Sequence, residues 1–457
     1  MALISFIQLS EIENFKDLSP DFYKEDYMEK SKNIRKNNFR KLSQISYITD
    51  GEHGSPCWSE NSGIKYITAE FIKENFIEKG NYKQITFDQD KRNARARLKE
   101  NDILIYSVGA YAGLTCVAEP HLFPANIPRS VAIVRLNNTS EFLPEFISVF
   151  LNSNVGKFQS LRFRAGNSQP VLALEKFRQF EIPIVDMNFQ LIIKELYQKA
   201  YKLRLQSQTL YQQANDLLEQ ELGLNSINFL KSKTYTANFS EVASTRRMNA
   251  EYFSPLIKDI LSLAFLKEAK PLSSLFKVVR GISPSSYVEN AIPVIKTKNI
   301  RLPEIDRDRI SDCVKSVKDF TTVQENDLLL ASMGVGSLGR MSFIHLLEKE
   351  YIVDGTIRIL RKKNDAPANY EIPTLLFLSS KAGQELIYRG IVGSTGIISL
   401  PDDFLSKIPI PKFSDEFALK VSEMIKNSMV AKKQSKDLLA EAKKRVEQLI
   451  EEAATKN

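Results

Sequence analysis

Residues 188–223 read NFQLIIKELYQKAYKLRLQSQTLYQQANDLLEQELG, the longest helical pattern in the first half of the chain, with no proline and no internal glycine. Leu196, Leu203, Leu210 and Leu217 recur every seven residues, with Ile193, Ala200, Ser207 and Ala214 three residues before each. A repeat of this kind predicts a helix that packs lengthwise against another helix. Gly223 stands where a left-handed C-terminal cap is expected. At roughly 1.5 Å per residue the helix is a rod of about 50 Å. Such a seam requires a partner.

The rest of the chain supplies one, because its second half repeats its first. DFY at 21–23 matches EYF at 251–253, an offset of 230, and Leu42 matches Leu272, also 230 apart. KENDILIYSVG matches QENDLLLASMG with Asp102 on Asp327 at 225, and SVAIVRL matches TIRILRK at 226. Pro183 falls on Pro409 at 226, and Leu210 falls on Leu438 at 228. Chance matches would not hold one register over six segments. A period of this length means a tandem pair of pseudo-symmetric domains, since solenoids have shorter periods.

Each unit holds short β-like runs between polar turns (ISYIT, IKYITA, DILIYSVG, LTCVAE and SVAIVRL in the first), then a helix-like segment and a polar glycine loop. The long helix closes the unit. The second long helix, residues 415–451, carries Val421, Met424, Ser428, Ala431, Ser435, Leu438, Ala442 and Leu449 at heptad spacing. Arg445 takes the place equivalent to Leu217 and weakens the seam there. Small residues dominate both seams and predict close helix axes, and a pseudo-two-fold relating the halves makes the helices antiparallel. The expected fold class is α+β (mixed α/β): two pseudo-symmetric β-rich domains separated by two long antiparallel helices forming a coiled coil. The expected boundaries are 1–187 and 224–413 for the globular domains, with 188–223 and 414–457 for the helices.

Composition is compatible with this. The chain has 457 residues, 43% hydrophobic and 26% charged, and 63 basic minus 55 acidic residues leave +8. A mildly basic balance permits binding of a polyanion without demanding it. Cys57, Cys116 and Cys313 are widely spaced, which predicts a reducing, cytoplasmic compartment. The opening MALISFIQLSEIENF has no signal-peptide pattern, and no apolar run is long enough for a membrane span.

The order of motifs over essentially the whole chain resembles the specificity subunit of type I restriction–modification enzymes. The motifs are TDGEHGSPCW (49–58), ENDILIYSVG (100–109), RMNAEYFSP (247–255) and ENDLLLASMG (325–334), with the GNSQ loop leading to IPI and a later IPIP before the second helix. The resemblance implies that each globule is a target recognition domain reading one half of a bipartite, asymmetric sequence in double-stranded DNA. It implies that the helices set the half-site spacing and dock two methyltransferase subunits, with motor-nuclease subunits joining for cleavage. No cofactor is then expected in this chain; S-adenosylmethionine, ATP and Mg belong to those partners. Two departures stand out: GSTG replaces GNSQ in the second copy, and the second copy has no equivalent of His53–Trp58.

Catalytic patterns point the same way. The chain has no Asn/Asp-Pro-Pro-aromatic methyltransferase motif and no GxxxxGK[ST] loop, and His53, His121 and His345 lack ligand spacing. Gly334, Gly336 and Gly339 form GxGxxG with Asp354 about 20 residues on, but the first copy, SVGAYAGL, lacks the third glycine. A turn between strands fits both copies. PDDFLSK (401–407) resembles a nuclease acid–lysine pair, yet it aligns with ALEKFRQ and reads as a helix start.

Candidate DNA contacts follow from residue type, because Lys and Arg grip phosphates while forked donors and amides read base edges. In the first domain they are His53 and Ser55, the cluster Lys91, Arg92, Arg95 and Arg97, then Ser107, Tyr111 and Arg129, and the loop with Arg162, Arg164, Asn167 and Gln169. In the second they are Arg280, Ser283 and Ser285, then Lys296, Lys298 and Asn299, then Arg307 and Arg309. Ser332, Ser337 and Arg340 in the glycine turn follow, with Arg389, Ser394 and Thr395. The competing function is a helical scaffold that organises partner subunits without reading DNA.

Overall fold

The runs ISYIT, SVAIVRL, DILIYSVG and LTCVAE form one antiparallel sheet, in spatial order Ser46–Asp50, Val131–Leu136, Ile103–Tyr106 and Thr115–Val117. The second copy builds the same sheet in the same order from Phe276–Arg280, Ile357–Lys362, Leu328–Ala331 and Met341–Phe343. These coordinates are a computed structural model describing residues 20–137, 141–166, 169–393 and 397–456. They divide into two units, residues 1–204 with 433–457, and residues 205–432.

Both faces of the inner strands of each sheet are covered, so these strands are largely apolar and alternate residues serve two different cores. In the first unit Ile103, Ile105, Ala132 and Val134 face the core that holds the helices. Leu104, Cys116, Val131 and Ile133 face a second, smaller core. The second unit divides Leu328, Leu330 and Leu360 from Leu329, Ala331, Ile357 and Ile359 in the same way.

The helix-like segment of the first copy is two helices, Pro144–Asn152 and Asn154–Phe163, broken at Ser153. Ser153 Oγ accepts the Gly156 amide at 3.1 Å, and Ser380 Oγ accepts the Gly383 amide at 3.2 Å between Glu371–Ser379 and Lys381–Tyr388. Both are side-chain N-caps. A Cβ on Gly156 would lie 2.0 Å from the Phe150 carbonyl oxygen, and one on Gly383 would lie 2.1 Å from that of Phe377. Glycine is required at both corners.

A smaller sheet follows the same rule. Lys65–Tyr66 pairs in parallel with Ala125–Asn126 and antiparallel with Gln84–Ile85. Ile292–Ile295 pairs in parallel with Ile352–Val353 and antiparallel with Cys313–Val314. The first unit adds an edge strand, Trp58–Ser59, in the segment that lacks a sequence counterpart.

The long helices run Met187–Glu221 and Asp415–Lys456, and Gly223 adopts φ 60° just beyond the first. In the first unit Ile193 and Tyr197 share a core with Ala442, Val446 and Ile450, and Ser435 Oγ donates to the Ala200 carbonyl at 2.7 Å. In the second unit Ala214, Leu218 and Leu222 share a core with Val421, Ile425 and Met429, and Ser428 Oγ donates to the Ser207 carbonyl at 2.7 Å. One index rises as the other falls, so the helices are antiparallel.

The expected seam needs correction. Leu196, Leu203, Leu210 and Leu217 lie half-buried on its flank, while the buried rows combine the small residues with Tyr197 and Leu218 on one helix and Ile425 and Val446 on the other. A serine hydroxyl can reach the facing backbone only if the axes are close, so small residues rather than leucines stand at the Ala200–Ser435 and Ser207–Ser428 contacts. Arg445 is accordingly not in the seam; it is exposed and pairs with Glu441, and Val446 occupies the inward position.

Candidate nucleic-acid interface

Three loops meet at one edge of the larger sheet in the first unit, and backbone hydrogen bonds tie them together. The Arg129 amide donates to the Glu52 carbonyl at 2.9 Å, which fixes the loop carrying His53 and Ser55 beside Arg129. Ser107 donates its amide to the Ser130 carbonyl and its hydroxyl to that of Arg129, binding the glycine turn to the same strand end. The Gly109 amide then donates to the Pro170 carbonyl at 2.8 Å, and Leu172 donates back to Ser107. Ala165 and Val171 pair across the base of the third loop.

The second unit repeats the bonds that hold the glycine turn and the third loop. Ser332 donates its amide and hydroxyl to the Thr356 carbonyl, Gly334 donates to Ile398, and Leu400 donates to Ser332. Val392 and Ser399 pair across the third loop as Ala165 and Val171 do. Ser283 Oγ accepts the Gly355 amide at 3.1 Å, bringing the loop after Phe276–Arg280 to the same edge. Gly334, Gly336 and Gly339 have φ of 98°, 73° and 85°, the left-handed values of a tight turn between strands. They do not open a nucleotide-binding helix, since Met341–Phe343 is a strand. Asp402 pairs with Arg358, and Asp403 with Lys407, so PDDFLSK is a helix start with its charges engaged locally.

The structure thus gathers His53, Ser55, Ser107, Tyr111, Arg129, Arg164 and Gln169 at one edge, and Arg280, Ser283, Ser285, Ser332, Ser337 and Arg340 at the equivalent edge. Within these groups His53, Ser55, Tyr111, Arg129, Arg164, Gln169, Arg280, Ser283, Ser285 and Arg340 are exposed. Ser107 and Ser332 are buried and hold the turns in place through the bonds described. Ser337 folds its hydroxyl back onto the Met333 and Gly334 carbonyls. Asn167, Ser394 and Thr395 lie outside the described residues.

The remaining candidates are elsewhere or engaged internally. Arg162 is on a helix rather than in the glycine loop; it is buried, donates to the Phe22 carbonyl at 2.9 Å and stacks on the Phe22 ring at 4.0 Å. Arg389, its counterpart, stacks on Tyr252 at 4.3 Å. Asn299 is fully buried and accepts the Lys296 amide with its own side chain. Lys296 and Lys298 both pair with Asp312, Arg307 with Glu304, and Arg309 with Asp306. In the basic cluster all four side chains are exposed; Arg95 grips Asp50 and Thr49 and Arg97 holds Asp90, whereas Lys91 and Arg92 make no ion pair among the described residues.

Sequence reasoning missed what organises these loops. Asn101 and Asn326 take φ of 67° and 69° beside Asp102 and Asp327. Asp102 is buried, accepts the Lys99 amide and is clasped by Arg135 through two bonds of 2.7 Å. Asp327 accepts the Gln324 amide and is clasped by Arg361 at 2.9 and 2.7 Å. Each carboxylate raises the pKa of its arginine above the ordinary value. The signal was present in the paired END motifs and in the arginine of the two VRL and LRK runs.

Among the described residues no His, Cys, Asp and Glu grouping suits a metal ion, and no helix is long and apolar enough to cross a membrane. No protein-family model matches the chain, and no curated protein matches it. Among solved structures the chain is similar to the "Type-I restriction-modification system S subunit from M. genitalium", with 13% identity over 91% of this chain and 95% of that one, at a TM-score of 0.48. It is also similar to the "HsdS subunit from Thermoanaerobacter tengcongensis", with 12% identity over 91% and 96%, at a TM-score of 0.28. A third structure, described as "Structural basis underlying complex assembly and conformational transition of the type I R-M system", shows 12% identity over 91% and 97%, at a TM-score of 0.30.

Proposed function

We propose that this chain is the DNA-sequence specificity subunit of a type I restriction–modification system. One observation carries the reading: the same three-loop edge is built twice by the same backbone bonds, yet its exposed side chains differ between copies. His53, Arg129, Arg164 and Gln169 stand in one, and Arg280, Ser283 and Arg340 in the other. A fixed frame with variable tips suits two readers of two different half-sites, with arginines and amides as base-edge donors.

In this reading the chain is not an enzyme. The helix pair sets the spacing between half-sites and docks two methyltransferase subunits. Leu191 and Leu419, at equivalent places on the two helices, are 44% and 47% exposed and suit such apolar contacts. The methyltransferases bring S-adenosylmethionine, and motor-nuclease subunits bring ATP and Mg.

Mapping methylated adenines in the host genome with and without this gene tests the proposal. A bipartite, asymmetric motif should lose its methylation on deletion. An unchanged map would leave the scaffold reading in its place.

A further inference from the structure

The stacked Arg162–Phe22 and Arg389–Tyr252 pairs occupy equivalent positions, but their surroundings have diverged. In the first unit the space beside Arg162 has closed to about 10 Å³, lined by Ser31, Gln159 and Glu181. There Arg162 donates to the Phe22 carbonyl and to Met28 Sδ. In the second unit the same place is an open cavity of about 330 Å³, lined by Arg247, Tyr252, Arg389, Phe404 and Lys407 among others.

Two guanidinium groups line this cavity beside the Tyr252 ring: Arg389 is 4.3 Å and Arg247 is 5.2 Å from its centroid. Arg247 is also 5.1 Å from the Phe404 ring. Arg247 Nη1 and Arg389 Nε are buried and have no hydrogen-bond partner. One carboxylate, Asp403, also lines the cavity, and Lys407 of the same lining pairs with it at 2.9 Å; Asp402 pairs with Arg358, and Glu385 with Lys231 at 2.8 Å. Buried donors on charged groups are costly to leave unmet, so the cavity is built for an anion. Two forked guanidiniums suit a tetrahedral oxyanion.

We propose that this cavity binds a single phosphate group of the DNA backbone. Arg389 begins, and Pro401, Asp403 and Phe404 end, the loop whose Val392–Ser399 base belongs to the second three-loop edge. A phosphate held at the foot of that loop sets its height over the neighbouring bases without reading them. Among the described residues the equivalent space in the first copy is too small to hold a phosphate. That the phosphate comes from DNA rests on the function proposed above; the oxyanion chemistry does not.

The test uses the full-length protein and a labelled random-sequence duplex, with Arg247→Gln, Arg389→Gln and the double variant, each checked by thermal melting. Losing one phosphate contact flattens the slope of log K against log salt by about 0.9 and weakens binding roughly tenfold. Inorganic phosphate, compared with chloride at equal ionic strength, should raise the melting temperature of the wild type and not of the double variant. Arg247→Gln alone, which breaks no hydrogen bond, guards against misfolding of Arg389→Gln. A wild-type salt slope in the double variant overturns the proposal. So does equal phosphate protection of both proteins, or lost affinity for a methyltransferase partner at an unchanged slope, which would assign the pocket to an acidic protein segment. A flattened slope with an unchanged methylation map would sustain the pocket while removing the proposed function.

Discussion

Arg135 clasps Asp102 through two parallel hydrogen bonds of 2.7 Å, with the carboxylate entirely removed from solvent. The bond joins the strand Val131–Leu136 to the start of Ile103–Tyr106, and so fixes the register from which Ser107 and the glycine turn project. Removing one partner of a buried pair leaves the other charge uncompensated, whereas removing both does not. Arg135→Met should therefore destabilise the first unit by about 3–5 kcal/mol, and the double variant Asp102→Asn/Arg135→Met should recover part of the loss. Denaturant titration measures both; a double variant as unstable as the single would refute this account.

The basic cluster should separate into two roles. Lys91→Gln with Arg92→Gln should flatten the salt dependence of DNA binding and leave the melting temperature unchanged. Arg95→Gln should act on folding, because Arg95 holds Asp50 and Thr49. Its side chain is 43% exposed, so solvent screens the loss to about 1–2 kcal/mol. Equal effects of the two sets on binding would contradict the division.

Acid should weaken the fold through two histidines. Burial holds His121 below the ordinary 6.5, and burial with Lys426 beside it does the same for His345. A depressed folded-state value means that the unfolded chain binds more protons. The stability from neutral imidazole is therefore complete above 6.5 and lost as pH falls through the depressed values. Melting temperatures should rise from about pH 5 to about pH 6.5 and then level. His345→Gln should flatten that rise, and an unaltered pH profile would exclude this residue as a source.

Length of the helix pair should set the methylated motif. Removing one heptad from each long helix keeps the small residues facing and shortens the pair by about 10 Å, equivalent to about three base pairs. The unspecified bases between the half-sites should decrease accordingly. Mapping the motif of the shortened protein gives the answer, and an unchanged spacer would rule out the helix pair as what sets the half-site spacing.

Much of the fold was legible because the two copies check each other. The strands of the larger sheets fall at offsets already visible in Leu42 and Leu272, Asp102 and Asp327, and Pro183 and Pro409. The helix register was half legible. Period alone pairs Ala200 with Leu196 or with Tyr197 equally well, and only the Ser435–Ala200 and Ser428–Ser207 contacts choose the second. At the candidate interface, residue type identified charges but not their partners. Arg162 and Arg164 are two residues apart; one is buried against Phe22 and the other faces solvent, because the helix ends between them at Phe163. The meeting of the glycine turn with the 164–172 loop is long-range and leaves no local pattern.

The division of the long helices also orders the birth of the protein. The second unit is one unbroken stretch, residues 205–432, and holds everything needed to close its own core as it leaves the ribosome. The first unit is interrupted: Ile193 and Tyr197 stay uncovered until Ala442, Val446 and Ile450 have been synthesised, and Asn37 waits to meet the Ile450 carbonyl, 413 residues later. The half made first is finished last. A chain stopped after Lys432 therefore has a completed second half and a first half with an open, sticky flank, which makes premature termination a hazard for one unit and not the other.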